Sequence, residues 1–130
     1  MPKSIIKSPA KELDISLHQS EAFSFSLTVK IANAVIQDFT NMSMLMHVRQ
    51  NEADTGTPPI ELSSSAGDID LVAQSGSDDG YARVKISPTQ SDIPPGKYKY
   101  DLLFIKEAGV EEYVLLKGKF EVEDPVTIKP

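Results

Sequence analysis

The 130-residue chain has no cysteine and no tryptophan, and only two histidines. Without cysteine there is no disulfide framework, no thiolate nucleophile and no cysteine-based metal site. No stretch approaches the roughly 20 apolar residues of a membrane-spanning helix. The N-terminal segment also has no apolar run of the kind found in secretory signals. We therefore expect a soluble protein that is made in the cytoplasm, that has no membrane contact and that is not exported by a general signal.

Catalytic signatures are missing as well. The sequence contains no HExxH, GxSxG, Walker A or GxGxxG motif. His18 falls in a predicted turn and His47 on a predicted strand, and no spacing singles out one of the many serines as a nucleophile. We predict a protein that is not an enzyme, with no catalytic residue and no cofactor.

Composition and charge describe one acidic globular domain. The net charge is -6, with 40% hydrophobic and 25% charged residues, which are ordinary values for a folded protein. An acidic balance argues against nucleic acid and against anionic lipid as partners. The length favours a single domain over residues 1–130. Residues 1–12 are predicted to form a loosely held arm and residues 124–130 a tail.

Apolar and polar residues alternate along most of the chain, which is typical of half-buried strands. The clearest case is Phe23 to Ile31, with five apolar residues in strict alternation. Similar alternation occurs over residues 13–17, 42–48, 69–73, 81–86, 98–104 and 112–122, and residues 60–62 add a short edge strand. Ser87-Pro88 resembles a helix start, so one short helical turn is predicted near residues 88–93. Seven to eight strands separated by turns predict an all-β protein, an antiparallel β-sandwich.

The alternation also predicts which residues face the core. These are Phe25, Leu27, Met44, Met46, Leu71, Val84, Tyr100, Leu102, Leu116 and Phe120. The methionines at strand spacing are interpreted as core rather than as an adaptable binding surface. A glycine inside the long last strand, Gly118, predicts a bulge or bend there.

A turn followed by two tyrosines makes the sandwich prediction more specific. Pro94-Pro95 precede Gly96, and Tyr98 and Tyr100 then share one face of a strand. This order is similar to the tyrosine corner of immunoglobulin-like domains, in which a buried tyrosine bonds a backbone group upstream. We predict that Gly96, Tyr98 and Tyr100 form such a structural corner in an immunoglobulin-like sandwich.

Two further groups of residues have both a functional and a structural interpretation. The carboxylates Asp68, Asp70, Asp78 and Asp79 bracket one predicted hairpin and could hold Ca²⁺ through oxygen ligands. The alternative is a set of solvated turn carboxylates, because EF-hand spacing is absent. Tyr81, Tyr98 and Tyr113 could form an aromatic patch for sugar or protein, and the alternative is that they pack individually.

Three segments of the chain resemble a small immunoglobulin-like domain of tailed bacteriophages and prophages. The segments are residues 38–49, which run from Asp-Phe-Thr-Asn to Val-Arg, residues 93–102, Ile-Pro-Pro-Gly-Lys-Tyr-Lys-Tyr-Asp-Leu, and residues 115–122, Leu-Leu-Lys-Gly-Lys-Phe-Glu-Val, with Val-Thr at 126–127. The likeness covers residues 13–128. The resemblance implies a virion component associated with tails, baseplates or fibres, and it brings no catalytic residues.

Three functions therefore remain open from the sequence. The first is a non-enzymatic structural or assembly module of a phage virion, made in the bacterial cytoplasm, with other virion proteins or copies of itself as partners. The second is a carbohydrate-binding module for host-surface glycan, although the lack of tryptophan disfavours a sugar platform. The third is a small bacterial partner-binding protein unrelated to phage.

Overall fold

The computed structural model describes residues 11–51 and 56–125, and all regular structure in these ranges is β. The strands, in chain order, are β1 (Lys11–Glu12), β2 (Ile15–His18), β3 (Phe23–Leu27), β4 (Lys30–Ile31), β5 (Ala34–Val35), β6 (Ser43–Arg49), β7 (Ile60–Ser63), β8 (Ile69–Val72), β9 (Tyr81–Ile86), β10 (Gly96–Glu107) and β11 (Glu111–Glu123). Across the described ranges, no helix is long and apolar enough to span a membrane. The predicted arm and tail lie almost wholly outside these ranges, but residues 11 and 12 of the arm form β1.

Two sheets pack face to face, and β4 and β5 pair with each other as a separate two-stranded sheet. The larger sheet has the order β7–β6–β10–β11, with β1 and β2 both paired to the far edge of β11, and the smaller sheet has the order β3–β9–β8. This division of strands is that of an immunoglobulin-like sandwich, so the predicted all-β fold class is confirmed. Three of these eleven strands have only two residues. The other eight agree with the predicted seven to eight strands. The pairings of β1 and β2 with β11 are parallel, whereas the other pairings are antiparallel.

The core lies between the two sheets and is built mainly from alternate residues of the long strands. Met44, Met46 and Val48 of β6 are fully buried, as are Leu102 and Phe104 of the neighbouring β10. The Phe104 ring meets that of Phe39 edge-on at a centroid distance of 6.2 Å. Continuous apolar packing of this kind supplies most of the free energy that stabilises a small sandwich.

Three residues predicted to face the core are only half-buried. Phe25 and Leu27 belong to β3 and Leu71 belongs to β8, and these strands form the two edges of the smaller sheet. An edge strand has a neighbour on one side only, so its inward side chains keep part of their surface in solvent. Leu13, predicted to begin a strand, is 45% exposed and precedes β2.

The predicted bulge at Gly118 is wrong in position. The β10–β11 register passes from Leu102 opposite Leu116 to Leu103 opposite Val114, so the extra residue is Leu115. Gly118 instead lies directly beneath the N-terminal segment, where an added Cβ would be 2.5 Å from the carbonyl oxygen of Leu13. The glycine is needed for this close backbone approach and not for a bend.

The residues near 88–93 form a single turn closed by a helix-like i to i+4 hydrogen bond, in keeping with the prediction of at most one short helical turn. The Ser91 amide donates to the Ser87 carbonyl at 3.0 Å. The Gln90 amide donates to the Ser87 hydroxyl, and the Ser87 amide donates to the Gln90 side-chain oxygen. This reciprocal arrangement is a capping box, which explains why the sequence resembles a helix start. The buried Ser91 hydroxyl then donates to the Glu21 carbonyl and holds the turn against the end of the sandwich.

Candidate functional site

The turn before β10 has the geometry expected of a tyrosine corner. Tyr98, two residues after Gly96, is 4% exposed, and its hydroxyl donates to the Pro94 carbonyl at 2.5 Å. Burial raises the pKa of the Tyr98 hydroxyl above its usual value. The bond holds the turn that precedes β10 against the buried ring of Tyr98. Its role is therefore structural.

Tyr100 performs a second structural task. Its ring meets Phe120 edge-on at 6.3 Å, and its hydroxyl donates to the carbonyl of Leu13 in the N-terminal segment. Burial, and to a lesser degree the negative charge of Asp14, raise the pKa of Tyr100 to about 12. The two tyrosines thus hold chain segments in place and keep their protons over the physiological pH range.

Removing the Tyr98 hydroxyl should lower stability modestly. In Tyr98→Phe the ring remains in the core, and only the bond to the Pro94 carbonyl is lost, so we expect unfolding to become easier by about 0.5–1.5 kcal/mol. Urea denaturation followed by circular dichroism measures this change. Tyr81→Phe is the matched control, because the Tyr81 side chain is at the surface. An unchanged urea midpoint in Tyr98→Phe would show that the corner bond does not stabilise the fold.

The structure does not bring the four predicted calcium ligands together. Asp68 and Asp70 lie at the start of β8, where Asp68 accepts from Gln90 at 2.8 Å and Asp70 pairs with Lys85 at 3.1 Å. Asp78 and Asp79 lie beyond the other end of β8, and Asp79 accepts from the Gln37 side chain at 2.8 Å. Among the described residues, no three His, Asp or Glu side chains are grouped as metal ligands. The strand itself separates the two pairs of carboxylates.

The tyrosines and histidines are also dispersed. Tyr81 lies on β9 of the smaller sheet, Tyr98 is in the core, and Tyr113 of β11 donates to Glu111 at 2.9 Å. This bond is the main reason that the pKa of Tyr113 is raised. His18 pairs with Glu21 at 3.2 Å, and His47 lies 3.6 Å from Glu61 on the other flank of the molecule. The three tyrosines therefore do not make one platform for a sugar ring.

The free edge of β3 is the first surface with features of a binding site. Its other edge pairs with β9 over Phe23 to Leu27. On the free side, no backbone hydrogen bond to a described residue is formed by β3. Phe23, Phe25 and Leu27 pack against the core and remain half-buried, whereas Ser24 and Ser26 between them are exposed. Within residues 11–51 and 56–125, the edge thus presents backbone groups without a strand partner beside partly covered apolar side chains.

This edge carries none of the features that usually prevent pairing. Edge strands are commonly protected by lysine, proline, a bulge or an inward charge. β3 reads Phe-Ser-Phe-Ser-Leu, with no charge, no proline and a continuous register against β9. By contrast, β7 at the edge of the larger sheet carries Glu61. An unprotected edge of this kind is suited to accept a strand from another chain.

The outward face of the larger sheet is the second such surface, and it is ordered in rows across β6, β10 and β11. One row is apolar and consists of Leu45, Leu103 and Val114. The next row is of mixed charge and consists of His47, Asp101 and Lys117. The third row is cationic and consists of Arg49, Lys99 and Lys119. We refer to these as the apolar row, the mixed row and the cationic row.

An open depression of about 770 Å³ lies over the mixed and cationic rows. Val114 of the apolar row also lines the depression. Glu12 and Asp14 of the N-terminal segment line it as well. The Arg49 guanidinium donates to the Gly56 carbonyl at 2.5 Å and contacts a ring nitrogen of His47 at 3.4 Å. The surface is thus concave, and positively charged along one side, in a protein whose net charge is negative.

Sequence reasoning did not identify either surface. Alternation does show that Lys99, Lys119 and Arg49 point away from the core. It does not show that they lie opposite one another, because that depends on the register between three strands. A Phe-Ser-Phe-Ser-Leu strand without any charge was the one available signal for the β3 edge.

Comparisons with known proteins add little. No family model and no curated protein sequence matches the chain. One solved structure similar to it is AggA, the major subunit of aggregative adherence fimbriae type I from Escherichia coli. The two chains are 12% identical, with 84% of this chain and 89% of AggA covered and a TM-score of 0.38. A likeness at this level supports no conclusion about the function of this chain.

Proposed function

We propose that this protein is a non-enzymatic assembly module that binds another protein by adding a strand of that partner to the free edge of β3. The observation that carries the proposal is the unprotected five-residue edge. A partner strand would pair with the backbone groups of β3 that bond no described residue, and it would cover the exposed parts of Phe23, Phe25 and Leu27. Strand addition derives its affinity from main-chain bonds and its specificity from alternate side chains.

The partner strand should be short and weakly charged. β3 has five residues and no charge of its own, so a strand rich in carboxylates or lysines would gain nothing there. Alternate apolar residues in the partner would meet the three apolar side chains of β3. Other proteins of the same assembly, or copies of this chain, are the partners that we propose.

We further propose that the assembly is the tail, baseplate or fibre of a bacteriophage. This part rests on the sequence resemblance of residues 38–49, 93–102 and 115–122 to phage immunoglobulin-like domains. In this proposal the protein is made in the bacterial cytoplasm and joins the particle there. A role in holding neighbouring subunits needs no catalytic residue and no cofactor.

Mass spectrometry of gradient-purified particles tests both parts. The particles are prepared from the phage or induced prophage that encodes the protein, with the natural gene or with Ser24→Lys/Ser26→Lys in its place. The natural protein should copurify with the particles. The two lysines should remove it from them, because charge on an edge strand opposes pairing.

A second double variant controls for the added charge. Ser65→Lys/Ser77→Lys introduces the same charge in exposed turns away from β3, and this protein should still copurify. Absence of the natural protein from the particles would overturn the virion proposal. Its presence, together with equal incorporation of the β3 variant, would overturn the edge proposal.

A further inference from the structure

We infer that the outward face of the larger sheet is a second docking surface, and that it binds an acidic segment of a partner protein in which carboxylates and apolar side chains share one face. The surface is separate from the β3 edge, which lies in the other sheet. The inference therefore does not depend on strand addition at that edge.

The cationic row is the first observation behind this inference. Arg49, Lys99 and Lys119 lie directly opposite one another on three adjacent strands. Like charges at opposed positions in a sheet repel one another and destabilise the pairing. The row concentrates positive charge on one part of an acidic protein, and carboxylates of a partner would be attracted to it.

The mixed row adds positive charge beside the cationic row. Lys117 lies opposite Asp101, and Asp101 lies opposite His47. In the part of the chain that the structure describes, neither Lys117 nor Lys119 takes part in an ion pair. Both lysines are exposed and line the depression, where a partner's carboxylates could reach them.

The apolar row distinguishes this surface from a simple anion site. Leu45, Leu103 and Val114 are half-buried, yet they do not belong to the set of partly buried residues that pack against the core. They lie on the opposite side of the sheet from the core. A free phosphate or a nucleic acid backbone would contact the cationic row alone. A protein segment would contact the cationic row and the apolar row.

The spacing between the rows defines the partner further. Leu45 and Arg49 are four residues apart on β6, as are Leu103 and Lys99 on β10, which corresponds to about 13 Å. Each row crosses three strands and is about 10 Å wide. An extended partner segment would therefore carry its carboxylates four positions from its apolar residues, on the same face.

Fluorescence anisotropy with two labelled nine-residue peptides tests the inference on the full-length protein. The first peptide is Thr-Leu-Thr-Leu-Thr-Glu-Thr-Glu-Thr. In an extended conformation its leucines and glutamates share one face, and each leucine lies four positions before a glutamate. The second has lysine in place of glutamate. The glutamate peptide should bind at least about fivefold more tightly, the effect of two exposed charge pairs. Raising the salt from about 0.05 M to about 0.5 M should reduce this difference.

Variants locate the binding on the protein. Arg49→Glu/Lys119→Glu should abolish the preference for the glutamate peptide, and Leu103→Ser should weaken binding of both peptides. Lys30→Glu/Arg83→Glu makes the same charge change at exposed positions away from this face, and it should leave the preference intact. Ser24→Lys/Ser26→Lys should also leave it intact. Thermal melts show whether each variant is folded. If Arg49→Glu/Lys119→Glu does not fold, Lys119→Glu alone takes its place.

Three outcomes would overturn the inference. Equal binding of the two peptides would remove the charge argument. Equally tight binding of a single-stranded DNA oligonucleotide would show a general polyanion site instead of a protein-docking surface. Self-association of the protein that Arg49→Glu/Lys119→Glu abolishes, measured by sedimentation velocity, would make a second copy the occupant in place of an acidic partner.

Discussion

Replacing Phe104 by alanine is expected to destabilise the protein by about 3–5 kcal/mol, the usual cost of removing a buried aromatic ring. Phe104 is fully buried at the centre of the larger sheet, and its ring contacts Phe39 edge-on. Its neighbours across the strands, Met44 and Tyr113, are held by the registers of β6 and β11. Because these strands cannot move into the space, a cavity would remain.

Chemical denaturation with urea measures the change, and Phe25→Ala is the matched control. Phe25 is the same residue type, but it lies half-buried on the edge strand β3. Solvent already reaches its ring, so we expect its replacement to cost roughly half as much or less. Equal losses for the two variants would contradict the placement of β3 at an edge. A loss near zero for Phe104→Ala would contradict the core described for the larger sheet.

The contrast between these two phenylalanines shows what the sequence can predict. Alternation identified the inward faces of β6 and β10 correctly, because strands in the middle of a sheet bury every inward residue. The same alternation in β3 was the strongest in the chain, and it predicted correctly that Phe25 faces the core, but not that Phe25 stays half-buried. Periodicity gives the face of a residue but not the number of neighbouring strands, and burial depends on both.

Contacts between distant segments were the other part that could not be predicted. The tyrosine corner lies within a few residues of chain, and its spacing was visible in the sequence. The parallel pairing of β1 and β2 with β11 joins residues about a hundred positions apart, and no local pattern encodes it. The rows on the outward face have the same origin, since they depend on the register of three strands. For this reason both candidate binding surfaces emerged only with the structure.

Gly118 is the residue at which this long-range pairing is most sensitive to substitution. Between β1 and β2 the chain passes over β11 so closely that a Cβ on Gly118 would lie 2.5 Å from the Leu13 carbonyl oxygen and 2.9 Å from a carboxylate oxygen of Asp14. The same Leu13 carbonyl accepts the Tyr100 hydroxyl, and the Lys119 amide donates to Asp14 at 3.0 Å. An added methyl group would therefore displace backbone that holds three strands together.

We expect Gly118→Ala to destabilise the protein by about 2–4 kcal/mol, from the overpacking itself and from weakened bonds around Leu13 and Asp14. Hydrogen exchange should show faster exchange at the amides of Leu13 and Lys119, because the segment before β2 must move off β11 to make room. Gly56→Ala is the control, since nothing lies within 4 Å of the Cβ that it would add, and it should change little. Unaltered stability and exchange in Gly118→Ala would mean that the N-terminal segment does not pass this close to β11 in solution.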